Sequence, residues 1–281
     1  MDMARFPRHP STAFFSFKEE TLNLNYSVNY QLTSKAEIHS NFMAESRINS
    51  TTNASFNIAE LQSQLESGSE KKQLQVIPLL AQIGDDGWQI LMEFLQTQKS
   101  DSPTIISGKI YQVLRQVDSS KVDEFISKNF PLGVVPIKSE SNVDYSHIQV
   151  KLAHQDFLEA DKLTMQKLCE LAGEAAIQRK WLYFSEVDSI PIQDLQTINT
   201  MWLVYSEGKF GYSVQREMWL SVGKNWDKLL PKIGWKNGNS WTRYPNEFTW
   251  DLSAPKGHLP LSNLLRGVRM FASILSHPAW S

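Results

Sequence analysis

Apolar residues in this chain recur at intervals of three and four, segment after segment, and that spacing marks one face of an α-helix rather than a strand. Ile58, Leu61 and Leu65 begin the series, and Gly68 stands where such a helix would stop. Leu74, Ile77, Leu80 and Ile83 repeat the period before Gly84-Asp-Asp-Gly87, which predicts a turn. Trp88, Leu91 and Leu95 carry it on, as do Ile106, Ile110 and Leu114. Up to about Phe130 the expectation is therefore a bundle of short antiparallel helices, similar to HEAT or armadillo pairs. No internal repeat recurs often enough for a solenoid.

Pro131-Leu-Gly-Val-Val-Pro-Ile-Lys138 breaks the pattern, because two prolines block a helix and Gly133 permits a turn. A domain boundary is expected there. Beyond it Tyr145, Ile148 and Leu152 form a stripe, and Asp156 is placed to cap a helix carrying Phe157, Ala160, Thr164, Leu168 and Leu171, closed by Gly173. Leu195, Ile198, Trp202 and Tyr205 form another helix, started by Asp194. Ser213 is placed to cap the next, through Val214, Met218 and Trp219. Leu261, Leu264, Leu265, Val268, Phe271, Ala272 and Leu275 fall within about one third of a helical wheel and predict a last helix. The expected fold class is all-α, with residues 55–138 as the N-terminal bundle and 139–281 as the core domain.

Residues 1–54 are polar and show no sustained period, which predicts an unstructured extension. Arg5, Arg8 and Lys18 against Asp2 are faintly like an organelle transit segment, and a translation start at Met43 is the other reading. With 28 basic and 30 acidic residues the chain has no surplus of positive charge for a nucleic-acid backbone. A single cysteine, Cys169, excludes an internal disulfide framework and a cysteine zinc cluster. No apolar run is long enough to predict a spanning helix.

The sequence has no phosphate loop, HExxH, G-x-S-x-G or dinucleotide fingerprint, so no catalytic residue is assigned. No metal-ligand spacing links the six histidines. His258 beside Asp251 is the one couple that could do acid–base work, although a hydrogen-bonded loop histidine is the plainer reading. Cys169 falls near an apolar stripe and reads as a small buried hydrophobe.

Eight of the nine tryptophans lie in the last 101 residues. They serve either an aromatic core or a site for a large flat ligand. Two stretches there resist a helical reading: Phe184–Pro191, and a long aromatic-rich one from Gly234 to Pro260. Loops of the second length are often functional. Arg266 and Arg269 follow, about 60° apart on a helical wheel. They suit a ligand with two carboxylates on one edge, or they are two solvated surface arginines.

Lys167-Leu-Cys-Glu-Leu-Ala-Gly173, Trp181-Leu-Tyr-Phe184, Phe210-Gly-Tyr-Ser-Val-Gln-Arg216, Trp250-Asp-Leu-Ser-Ala-Pro255, and Gly257-His-Leu-Pro-Leu261 through Leu265-Arg-Gly-Val-Arg269 occur in that order. Together, over about residues 142–280, they resemble the genomes-uncoupled-four family. Members bind tetrapyrroles and stimulate magnesium chelatase in chlorophyll synthesis. The bundle at 56–130 is similar to the extra helical domain of cyanobacterial members.

The resemblance implies a non-enzymatic regulator and carrier with a concave apolar surface, roofed by the two loops. Its ligands would be protoporphyrin IX and magnesium protoporphyrin IX, with no enzyme cofactor. Phe184, Val187, Trp241, Tyr244 and Phe248 would touch the ring, while Arg266 and Arg269 would meet the propionates. Some relatives carry Trp where this chain has Tyr244, and Arg where it has Met165. The implied partner is the large, porphyrin-binding chelatase subunit, met by a monomer. The implied location is a cyanobacterial cytoplasm with peripheral thylakoid association left open, or a plastid if residues 1–42 are a transit segment. The rival readings are a helical protein-interaction scaffold and a hydrolase using His258 and Asp251.

Overall fold

The computed structural model describes residues 57–100, 102–261 and 268–281, all within one compact unit, Phe56–Ser281. Thirteen α-helices and one two-residue hairpin occur among them, so the chain is all-α. The readings made for residues 1–54, for a start at Met43 and for Arg266 lie outside the described residues.

Helix α1 (Ile58–Ser67) starts because the Asn57 side chain accepts the Ala59 N–H, and it ends at Gly68. Helices α2 (Glu70–Ile83) and α3 (Asp85–Thr97) meet at Gly84, whose φ of 91° turns the chain at one residue. The expected four-residue turn is thus shorter, and Asp85 and Asp86 already lie in the first turn of α3, where acids favour the helix dipole. Helix α4 (Ile105–Leu114) opens on a reciprocal capping pair between Thr104 and Ser107, and α5 (Ser120–Asn129) closes the bundle. Leu65, Ile77, Leu80, Leu91, Ile110 and Leu114 are all fully buried, as their spacing requires.

The segment after α5 is neither helix nor strand, and core side chains satisfy its backbone. Gln149 accepts the Val135 N–H at 2.9 Å and donates to the Val135 carbonyl at 3.0 Å. The Tyr205 hydroxyl accepts the Val134 N–H at 3.0 Å, and Thr197 donates to the Lys138 carbonyl at 2.7 Å. An apolar run with no strand partner has its peptide groups paired this way instead.

The core comprises α6 (Ser146–Ala153), α7 (Phe157–Ala172), α8 (Glu174–Arg179), α9 (Phe184–Val187), α10 (Ile192–Tyr205), α11 (Tyr212–Ser221), α12 (Trp226–Lys232) and α13 (Arg269–Ser276). Asp156 caps α7 by accepting the Glu159 N–H, and Gly173 closes it, as the sequence predicts. Two expected helix starts are corrected. Asp194 is no cap: it lies inside α10, fully buried, and accepts hydrogen bonds from Tyr145 at 2.6 Å, the Glu140 N–H at 3.0 Å and Ser139. Helix α11 begins before Ser213, after Gly211, whose φ of 132° disfavours a side chain. The last described helix begins at Arg269, and Leu264 and Leu265 lie outside the described residues.

The main core draws on helices from α1 to α11 and also on Ala254, Leu259 and the Met270 and Ile274 side chains of α13. A second cluster of Trp219, Leu229, Ile233, Trp235, Phe248 and Phe271, with Leu230 and Leu275, lies under the aromatic loop and touches the first through Trp250 and Leu261. Each large ring buried there contributes roughly 1.5–3 kcal/mol.

Candidate ligand-binding site

Three short elements position the expected residues. Helix α8 ends at Lys180 with a left-handed φ of 62°, and the chain reverses into α9. The reading of Phe184–Pro191 as non-helical is corrected for its first four residues, which form a single turn. Its amides are capped because the Glu186 carboxylate accepts the Tyr183 N–H at 2.8 Å. That turn separates two neighbours: Phe184 is 46 % exposed while Val187 is fully buried. Val187, expected at the ring, packs in the main core beneath the surface.

Helix α13 faces this turn. The Arg269 guanidinium carbon lies 5.8 Å from the centre of the Phe184 ring, a cation over an aromatic face. Two residues on, Phe271 stacks on Trp235 at 4.9 Å, tying the same helix to the base of the aromatic loop. Arg269 is exposed and Phe271 buried, so α13 offers a charge outward from an apolar seat.

The loop folds on itself. Strands β1 (Lys236–Asn237) and β2 (Ser240–Trp241) pair antiparallel around Gly238, and Trp241 is 50 % exposed with Lys236 5.8 Å from its ring centre. Tyr244, 48 % exposed, meets Trp250 edge-on at 5.8 Å and Phe248 at 6.3 Å. Trp250 donates to the Pro245 carbonyl at 2.9 Å, fixing this trio. Burial, helped by the charges of Asp161 and Glu159, pushes the Tyr244 hydroxyl up to about 12, so it remains a protonated donor. Phe248 is buried in the second cluster, only 9 % exposed, so it supports Tyr244 more than it presents a face.

The His258–Asp251 couple does not form. His258 is buried; its Nδ1 bonds the Ile233 carbonyl at 2.6 Å, and its Nε2 accepts the Thr249 N–H at 3.3 Å. Burial drives its pKa below the ordinary imidazole value against a smaller opposing effect of the Ile233 bond, which keeps the ring neutral. Asp251 instead accepts the Ser253 N–H at 2.7 Å. His258 is a strut inside the loop, not a base.

The structure therefore brings Phe184 to Arg269, and Tyr244 to Phe248, with α13 linking the two sets through Phe271 and Trp235. Sequence reasoning missed Trp250 as the third ring of the loop trio and Tyr183 as an exposed neighbour of Phe184, although both stand in the quoted motifs. Two surface hollows, of about 470 Å³ beside Arg216, Leu220 and Trp280 and about 420 Å³ beside Met92, Lys121 and Phe125, involve none of the expected residues. Solvent-facing rings beside a guanidinium are suited to a flat apolar ligand with an anionic edge.

An all-helical protein with a bundle of short helices before an aromatic hairpin is the class these features define. The GUN4-like family model matches residues 138–278, and the model described as "ARM-like repeat domain, GUN4-N terminal" matches residues 49–131. The chain belongs to the GUN4-like family. It is 50% identical over 226 residues to a Ycf53-like protein of Synechocystis, covering 80% of this chain and 97% of that one. It is 38% identical over 151 residues to an Arabidopsis thaliana protein named tetrapyrrole-binding protein, chloroplastic, covering 50% and 57% respectively. A solved structure of GUN4 from Chlamydomonas reinhardtii is 40% identical in sequence, covers 52% of this chain and 93% of its own, and superposes with a TM-score of 0.49.

Proposed function

We propose that this chain binds a tetrapyrrole and regulates chlorophyll synthesis without being an enzyme. The observation that carries the reading is the outward-facing Phe184 ring beneath Arg269. Support also comes from the exposed Trp241 and Tyr244 and from the chain's tetrapyrrole-binding relative in Arabidopsis. Burying about 300 Å² of a macrocycle at roughly 25 cal/mol/Å² contributes about 7–8 kcal/mol. Association costs of several kcal/mol leave useful affinity only if the rings are already in place. Exposed arginine–propionate pairs add about 0–1 kcal/mol each, so the aromatics set affinity and the arginines set orientation.

Protoporphyrin IX and magnesium protoporphyrin IX are the proposed ligands, and the large porphyrin-handling subunit of magnesium chelatase is the proposed partner. Affinity at about micromolar strength or slightly tighter suits a carrier that must pass its ligand on. Relatives from a cyanobacterium and from a chloroplast support the same setting for this chain. Residues 55–138 and 139–281 are proposed as its two domains, the second holding the ligand. Titration with both porphyrins tests the proposal: a Soret shift with quenching of tryptophan fluorescence is expected. No shift with either would remove the ligand and favour a helical scaffold that binds protein through the same surface.

A further inference from the structure

We propose that Arg179 and Glu186 are positioning residues for the ligand surface, locking helix α9 so that Phe184 stands outward beneath Arg269. This rests on the tetrapyrrole reading above and adds the device that prepares its ring contact.

A single helical turn cannot hold itself, because fixing its dihedral angles costs more than one hydrogen bond returns. Helix α9 has four residues and lies between a left-handed Lys180 and Pro191, so its orientation must come from elsewhere. Val187 and Ile190 anchor one side in the core. The other side is held by charge. Arg179 Nη2 reaches both Glu186 carboxylate oxygens at 2.6 Å, and the same carboxylate accepts the Tyr183 N–H. One side chain thus joins the end of α8 to the start of α9 across the reversal.

The guanidinium is itself confined. Its carbon lies 4.5 Å from the centre of the Tyr183 ring and 5.1 Å from that of Trp181, and those rings meet edge-on at 4.4 Å. Its Nε is buried with no hydrogen-bond partner among the described residues. A surface arginine with no structural duty would turn that N–H to water. Phe184 follows Tyr183 directly, so the clamp and the ligand-facing ring are adjacent in the chain. The Arg179 charge is already paired with Glu186 and stacked on Tyr183 and Trp181, so its effect on a ligand passes through Phe184.

The test is a double-mutant cycle on the full chain with protoporphyrin IX as probe, read by tryptophan quenching. Arg179→Met and Phe184→Ala should each weaken binding, the first by about three- to ten-fold, and the double variant should be no worse than Phe184→Ala alone. Losses that multiply fully would overturn the proposal, since Arg179 would then act without Phe184. So would a folded Arg179→Met that binds as wild type. Glu186→Gln keeps the size of the side chain and should give the same pattern if Arg179→Met folds poorly. Native-state hydrogen exchange reads the lock without any porphyrin: the Glu186, Ser189 and Ile190 amides, bonded to Tyr183, Glu186 and Val187, should lose protection in Glu186→Gln while α7 and α10 do not. Unchanged protection there would sink the positioning role even if wild type bound no porphyrin, whereas that failure of binding alone would sink only the functional reading.

Discussion

Gly108 in α4 lies so close to Val204 in α10 that a Cβ added at Gly108 would fall 2.4 Å from the Val204 carbonyl oxygen. The bundle and the core helices approach at backbone distance there, with Lys109 bonded to Glu207 at 2.7 Å and Gln112 donating to the Tyr205 carbonyl at 3.0 Å. Gly108→Ala must push the helices apart, costing about 1–3 kcal/mol. A thermal midpoint lower by several degrees is expected, and an unchanged midpoint would show that the contact is loose.

Asp161 in α7 is buried and accepts the Leu261 N–H at 2.6 Å. Burial raises its carboxyl to about 7, outweighing the Leu261 bond and the Lys162 charge. The unfolded chain releases this proton at an ordinary carboxylate pH and the folded chain only near neutrality. Its contribution to stability is thus full in acid and is lost as pH rises through about 7. Asp161→Asn keeps an acceptor for Leu261 but cannot ionise. It should match wild type near pH 4 and exceed it above pH 7, by up to about 4 kcal/mol at roughly 1.4 kcal/mol per pKa unit. Denaturant midpoints across that range decide it; parallel profiles for the two proteins would exclude this titration.

Arg269 is the basic group placed beside the Phe184 ring. Replacing both Arg266 and Arg269 with Ala should weaken binding of propionate-bearing porphyrins by about three- to ten-fold, in keeping with about 0–1 kcal/mol per exposed pair. Esterified porphyrins should be much less affected. Equal losses for acid and ester would contradict an orienting role.

Burial pushes the Cys169 thiol up to about 11 against the smaller opposing effect of Arg179. The thiolate is the nucleophile, so native protein at pH 8 should resist a thiol reagent for hours and release one equivalent in denaturant. Prompt labelling of the native state would place Cys169 at the surface.

Helical periodicity made most of the fold legible, because Leu61, Ile77, Leu91 and Ile110 each declare the buried side of a helix. Asp156 and Gly173 were readable as helix ends because capping is local. Asp194 was not, since its partners Ser139, Glu140 and Tyr145 lie some fifty residues away and a buried carboxylate looks the same as a cap in sequence. The turn at Phe184–Val187 escaped notice because it is too short to show a period and depends on Arg179 and Glu186. Motif resemblance pointed to Phe184 and Val187 together, yet one faces solvent and the other the core, a difference that appears only once the turn is built.

The smaller hydrophobic cluster beneath the hairpin has its own consequence. A molecule with two hydrophobic clusters joined at Trp250, Leu261 and helix α13 can loosen one while most of the other keeps its shape. A planar guest resting on Tyr244 and Trp241 would tighten the nearer interior first, so occupancy should register as slowed amide exchange around Trp235 and Phe271 and leave α1 to α5 untouched.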